Sequence, residues 1–138
     1  VVAFSPSTDM TMSSLTIKAH QSSDKMLGGL GVLAKVPTPI SAWMSLIFLR
    51  MNPANKLASP IFGNLSDLPP TLIHGSSNEM LLGEGIRYTN KAINAGSPVK
   101  MQIWKNQLHD WHLFNIGHGS AESAWYEVQK FISRLESN

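Results

Sequence analysis

Residues 69–104 read PPTLIHGSSNEMLLGEGIRYTNKAINAGSPVKMQIW, and this stretch decides the fold class. Thr71-Leu72-Ile73-His74 is a short apolar run between the breakers Pro69-Pro70 and Gly75, the pattern of a buried strand. Leu82, Ile86 and Ile93 then line one side of a helix, whose end is marked by Gly96 and Pro98. Val99, Met101 and Ile103 alternate with Lys100 and Gln102, which predicts another strand. Strand, helix and strand in immediate succession form the repeating unit of a parallel sheet.

The flanks extend that unit. Val1-Val2-Ala3-Phe4 is an apolar run stopped by Ser5-Pro6 and reads as one more buried strand. Thr38 and Pro39 supply an N-cap and first helical residue for a helix with the stripe Ile40, Trp43, Leu46 and Ile47, which closes before Asn52-Pro53. Core packing is the expected use of that stripe and of the seven methionines, with a lipid-facing cap as the alternative. Ser120 caps a last helix, with Glu122 in its first turn, Lys130 and Arg134 late, and Trp125, Val128, Ile132 and Leu135 at helical spacing. Residues 11–36, where Gly28, Gly29 and Gly31 crowd together, read as loop and weak helix. The expectation is an α/β chain with three parallel strands and flanking helices. Because one sheet edge is left bare, and because the chain opens on an apolar run without methionine or polar leader, further strands are expected before Val1.

Composition removes several function classes. The 138 residues are 43% hydrophobic and 14% charged, as in a globular unit, and zero cysteines exclude disulfides, thiolate-bound zinc and a cysteine nucleophile. The net charge is only +2, and its basic residues are spread singly from Lys18 to Arg134, so no nucleic-acid partner is expected. Residues 40–49, ISAWMSLIFL, are too short for a membrane span and carry two serines. His109, His112 and His118 lack an H-E-x-x-H pattern or carboxylates in register, so no metal is expected. The Gly-x-Gly pairs extend to no nucleotide-binding fingerprint, and no cofactor is expected.

Chemistry concentrates in two loops that follow expected strands: Gly75-Ser76-Ser77-Asn78-Glu79 and Gln107-Leu108-His109-Asp110-Trp111-His112. In open parallel sheets, sites form beyond the carboxyl ends of the strands. A histidine there suits a general base whose tautomer is fixed by an acid or amide from the neighbouring loop. An ordinary loop histidine satisfies the same spacing, and the residues alone leave both readings open.

Four motifs occur in order: Ser5-Pro6-Ser7-Thr8-Asp9-Met10-Thr11, Leu57-Ala58-Ser59-Pro60, Leu65-Ser66-Asp67-Leu68-Pro69-Pro70 and His109-Asp110-Trp111-His112-Leu113-Phe114. Together they resemble the carboxyl-terminal half of an α/β-hydrolase of the hormone-sensitive lipase family of bacterial-type esterases. The resemblance implies a partial α/β-hydrolase fold, with residues 1–138 as the carboxyl-terminal part of a single domain that is incomplete without an amino-terminal half. It implies a small ester substrate, and it makes His109 the catalytic histidine, which relays the proton of a serine hydroxyl. His112 is left with a packing or hydrogen-bonding role. The family keeps its catalytic aspartate directly before a Leu-Leu pair, here Leu81-Leu82, and counting back places that position on Asn78. An asparagine accepts a bond from imidazole but brings no charge to stabilise the imidazolium. Three explanations compete: lost activity, natural or engineered; a loop shifted so that Glu79 is the acid; or a misread or deamidation-sensitive sequence. Asn78 is taken as the occupant, with Glu79 as the alternative.

No two of the ten glycines stand four apart, so no G-x-S-x-G nucleophile elbow exists, and no HGGG run supplies an oxyanion hole. Two function classes follow. One is the histidine-bearing part of a serine carboxylesterase or lipase whose nucleophile lies outside this chain. The other is a non-catalytic α/β-hydrolase relative used for ligand binding or association, of which Asn78 would be a sign. Homo-oligomerisation is left open, the final helix being in such folds sometimes part of a dimer face.

Overall fold

The computed structural model describes residues 1–29, 36, 37, 40, 43, 44, 46, 47, 50–114 and 119–137. It places β1 at Val2–Phe4, α1 at Leu15–Ala19, a 3-10 turn at Pro60–Phe62, β2 at Thr71–Ser76, α2 at Leu82–Asn94, β3 at Val99–Trp104, α3 at Trp111–Phe114 and α4 at Gly119–Glu136. The three strands form one parallel sheet in the order β1-β2-β3, as the alternation of the sequence predicts. Phe4 stands beside His74 and His74 beside Gln102, so the three strands end at one edge.

β2 is buried at every position because neighbours cover both of its faces. On one face Ile73 packs with Leu65, Ala92 and Val99, and Ala3, Tyr88 and Met101 close around them. On the other face His74 meets a ring cluster made by Phe4, Trp104, Trp111 and His112. α2 approaches the first face through small residues: a Cβ at Gly85 would lie 2.9 Å from Met101 Cε, and Thr89 and Ala92 continue the buried stripe.

Close approach through small residues changes the helix faces expected from apolar periodicity. Ile93 is 51% exposed, since Thr89 and Ala92 occupy the contact instead. α4 buries Ala121, Ala124 and Val128, leaves Ile132 and Leu135 exposed, and starts at Gly119 rather than after Ser120. Ile40, Trp43, Leu46 and Ile47 are helical as expected, but all four are exposed, Trp43 by 67%, so the stripe does not close on this core. Thr38, Pro39, Gly31 and His118 lie outside the described residues. The stretch read as loop and weak helix contains α1, capped by the Ser14 side chain accepting from Thr16 N, with Ile17 buried. Among the described residues, no helix is long and apolar enough to cross a membrane.

Candidate active site

The carboxyl ends of β1, β2 and β3 deliver Ser5, the loop from Ser77 to Met80, and the loop from Lys105 to Asp110 to one edge of the sheet. The last two are tied together: Ser76 Oγ donates to Gln107 O at 2.7 Å, Ser77 N to Trp104 O at 2.9 Å, and Asn106 N to Ser77 Oγ at 3.0 Å. Asn106 and Asp110 take positive φ, 55° and 51°, a conformation that asparagine and aspartate tolerate better than most residues.

Three side chains from far upstream fix the orientation of the acid loop. Ser23 Oγ donates to Asn78 O at 3.1 Å, His20 Nδ1 is hydrogen-bonded to Glu79 O at 3.0 Å, and Met80 N donates to Asp24 Oδ2 at 2.9 Å. Held this way, the loop turns the Glu79 side chain inward, 2% exposed, while Asn78 Oδ1 accepts only from the neighbouring Ser77 hydroxyl at 3.1 Å among the described residues. Glu79 Oε2 lies 3.6 Å from His109 Nδ1 and accepts a 2.6 Å bond from Ser5 Oγ. Asp110 Oδ2 lies 3.4 Å from His109 Nε2. The structure therefore brings His109 against Glu79 and not against Asn78, one residue away from the expected partner, because the backbone anchors at positions 78, 79 and 80 decide which side chain points inward.

Electrostatics follow the geometry. Burial works against a charged His109 ring, but Glu79, Asp110 and, more remotely, Asp24 outweigh it and hold the imidazole above its ordinary pKa. Asp110 is itself pushed up, by burial and by the nearby Glu79 charge. The 3.6 Å separation exceeds a hydrogen bond, as is common where a base tightens onto its partner only with substrate present.

A second buried carboxylate anchors the Ser5–Thr11 loop. Glu84 Oε2 accepts from Thr8 N at 3.0 Å and Asp9 N at 3.1 Å, and Arg87 pairs with Asp9 at 3.0 Å. Burial pushes Glu84 up to about 7 despite those two donors, with the Asp9 charge adding to the rise. His112 fills the packing role expected of it: its Nε2 is 3.0 Å from His74 Nδ1, and its ring stacks on Phe4 at 4.0 Å.

A cleft of about 310 Å³ opens beside His109, walled by Met12, Ile17, Leu27, Met80 and Leu81, and reaches Ser5. A wider groove of about 560 Å³ along α4 has Trp104, Trp125 and Tyr126 with Glu122 and Glu127 but no histidine. Among the described residues, no group of three or more His, Asp or Glu side chains is placed to hold a metal ion. Sequence reasoning missed Ser5, His20, Asp24 and Glu84 as parts of this arrangement. Ser5 is the first residue of a motif that carried the resemblance, a usable signal, whereas His20 and Asp24 lie in none of the four motifs.

Residues 1–113 match the family model described as alpha/beta hydrolase fold. The chain is 25% identical over 136 residues to an esterase of Acinetobacter venetianus, a match covering 99% of this chain and 43% of that protein. It superimposes on the crystal structure of EstE5, soaked with p-nitrophenyl butyrate, with a TM-score of 0.82 and 29% identity, over 99% of this chain and 43% of that one. A hormone-sensitive lipase from a metagenome library gives a TM-score of 0.78 at 26% identity, with 96% and 43% covered. The chain thus spans well under half the length of these relatives.

Proposed function

The chain belongs to the alpha/beta hydrolase fold family, among its esterases and lipases of the hormone-sensitive lipase kind, and on that premise we propose that it is the histidine-bearing, carboxyl-terminal part of a single serine carboxylic-ester hydrolase domain. The observation that carries this reading is the buried Glu79 carboxylate 3.6 Å from His109 Nδ1, beside an apolar cleft. His109 Nε2 takes the proton of a serine hydroxyl as its oxygen attacks the ester carbonyl, then returns it to the leaving alcohol. Glu79 favours the tautomer with hydrogen on Nδ1 and stabilises the imidazolium that forms. In this proposal Glu79 takes the role that counting from Leu81-Leu82 gives to Asn78. A non-catalytic relative would be favoured by an uncharged partner for His109, and the Glu79 carboxylate 3.6 Å from that ring supports the enzyme instead.

The nucleophile and the oxyanion donors belong to an amino-terminal half outside this chain. By itself the chain hydrolyses no simple activated ester above the buffer rate. The cleft walls of Met12, Ile17, Leu27, Met80 and Leu81 suit a short aliphatic portion of a small ester. In the intact protein, His109→Ala lowers kcat for p-nitrophenyl butyrate by about ten-thousand-fold or more. Steady-state hydrolysis that survives His109→Ala overturns the proposal.

A further inference from the structure

Glu79 is buried on the sheet edge, and a buried carboxylate facing an imidazole is useful only if its oxygen stays put. Among the described residues, the one hydrogen bond to the Glu79 carboxyl group comes from Ser5 Oγ, at 2.6 Å. It lands on Oε2, the same oxygen that faces His109 Nδ1 at 3.6 Å. Ser5 also reaches the histidine loop itself, since Asp110 N donates to Ser5 Oγ at 3.5 Å.

Ser5 is held for this purpose from several sides. Its own N–H donates to His74 O at 2.8 Å, one step beyond the β1–β2 pairing, and the residue is 4% exposed. Its φ is 38°, in the left-handed region that non-glycine residues rarely enter, and Pro6 follows directly. Strained backbone of this kind persists only where the surroundings enforce it, and it clusters where a side chain must be aimed. Behind the carboxylate the room is made by Gly75, where a Cβ would lie 2.8 Å from Glu79 Oε1.

We propose that Ser5 is a positioning residue, whose hydroxyl fixes the Glu79 carboxylate toward His109 and couples the loop after β1 to the acid and histidine loops. The inference rests on the hydrolase reading above, and it acts through Glu79 rather than on substrate. The hydroxyl therefore secures the position of the oxygen that His109 faces. Removing the hydroxyl frees the carboxylate to turn, and His109 loses part of the attraction that raises it.

The test is the titration of His109 by ¹⁵N-histidine NMR in the intact protein, for Ser5→Ala and Ser5→Gly. Glycine relaxes the positive φ while removing the same hydroxyl, so it supplies the answer where alanine does not fold. Both variants lower the His109 midpoint by about one pH unit and lower kcat by about tenfold, with KM unchanged. Asp110 meets Ser5 only through its backbone N–H, at 3.5 Å, and the Asp110 and Asp24 carboxylates that also act on His109 are kept in both variants, so the fall reports the share due to Glu79. An unmoved midpoint in both variants, or a raised KM at unchanged kcat, overturns the role of Ser5. Glu79→Gln separates the two levels: if it shifts the midpoint while the Ser5 variants do not, only the Ser5 inference fails. If Glu79→Gln also leaves it unmoved, the Glu79–His109 reading fails and the Ser5 role falls with it.

Discussion

His109 and His112 are separated by two residues, and the fold holds them in opposite electrostatic surroundings. Both lie largely out of water. His109 faces the Glu79 and Asp110 carboxylates at 3.6 and 3.4 Å and is held above its ordinary pKa. His112 is 0% exposed and faces another imidazole, His74, across 3.0 Å, with the rings of Phe4 and Trp111 against it. Burial, and secondarily the repulsion between two protonated rings, pushes His112 down to about 4. In the His74–His112 pair one ring donates and the other accepts, so the accepting ring is neutral and the two are not protonated together. Burial alone therefore does not set the protonation state of a histidine. What faces the ring nitrogens does as well: carboxylates hold His109 up, while His112, facing an imidazole, works as a packed aromatic that pins α3.

The contrast breaks most sharply at Glu79. In the intact protein Glu79→Gln lowers kcat for a short ester by about a thousand- to ten-thousand-fold, because His109 loses its charged partner and its tautomer preference. Asn78→Asp is the control and changes kcat by about twofold or less, since that side chain bonds Ser77 rather than the imidazole. Steady-state kinetics with a raised Asn78→Asp rate and an unaffected Glu79→Gln rate reverse the assignment.

On the other side of the contrast, His112→Ala destabilises the protein by about 4 kcal/mol, from a cavity among the rings and an unpaired His74. His112→Phe keeps the ring volume and costs about 1–2 kcal/mol. Denaturant titration checks both, and equal losses for the two variants would remove the packing explanation.

The contrast also shows in the pH dependence. Between pH 6.5 and about 4 the unfolded chain protonates residue 112 and the folded chain does not. Stability of the wild type relative to His112→Phe is accordingly full above pH 6.5 and falls as the pH drops through that window, by at most about 3 kcal/mol. Glu84, pushed up to about 7, contributes with the opposite sign, losing stability as the pH rises from 4.5, but it does so in both proteins and cancels. A flat difference curve would mean that His112 is not held neutral.

The sequence by itself determined the strand–helix–strand order, the parallel sheet, the placement of His109 in the loop after β3 and the resemblance to hormone-sensitive-lipase-type hydrolases. Those features rest on periodicity, breakers and motif order, which are local properties of the chain. Only the tertiary structure decided which residue meets His109. Asn78 and Glu79 are neighbours in an irregular loop without period, and their directions are set by Ser23, His20 and Asp24, more than fifty positions upstream. The helix faces were decided in the same way. Gly85 lets α2 touch Met101, so the small Thr89 and Ala92 are buried and the larger Ile93 is left outside. Apolar periodicity tells which residues can be buried, but the distance of closest approach between elements selects those that are.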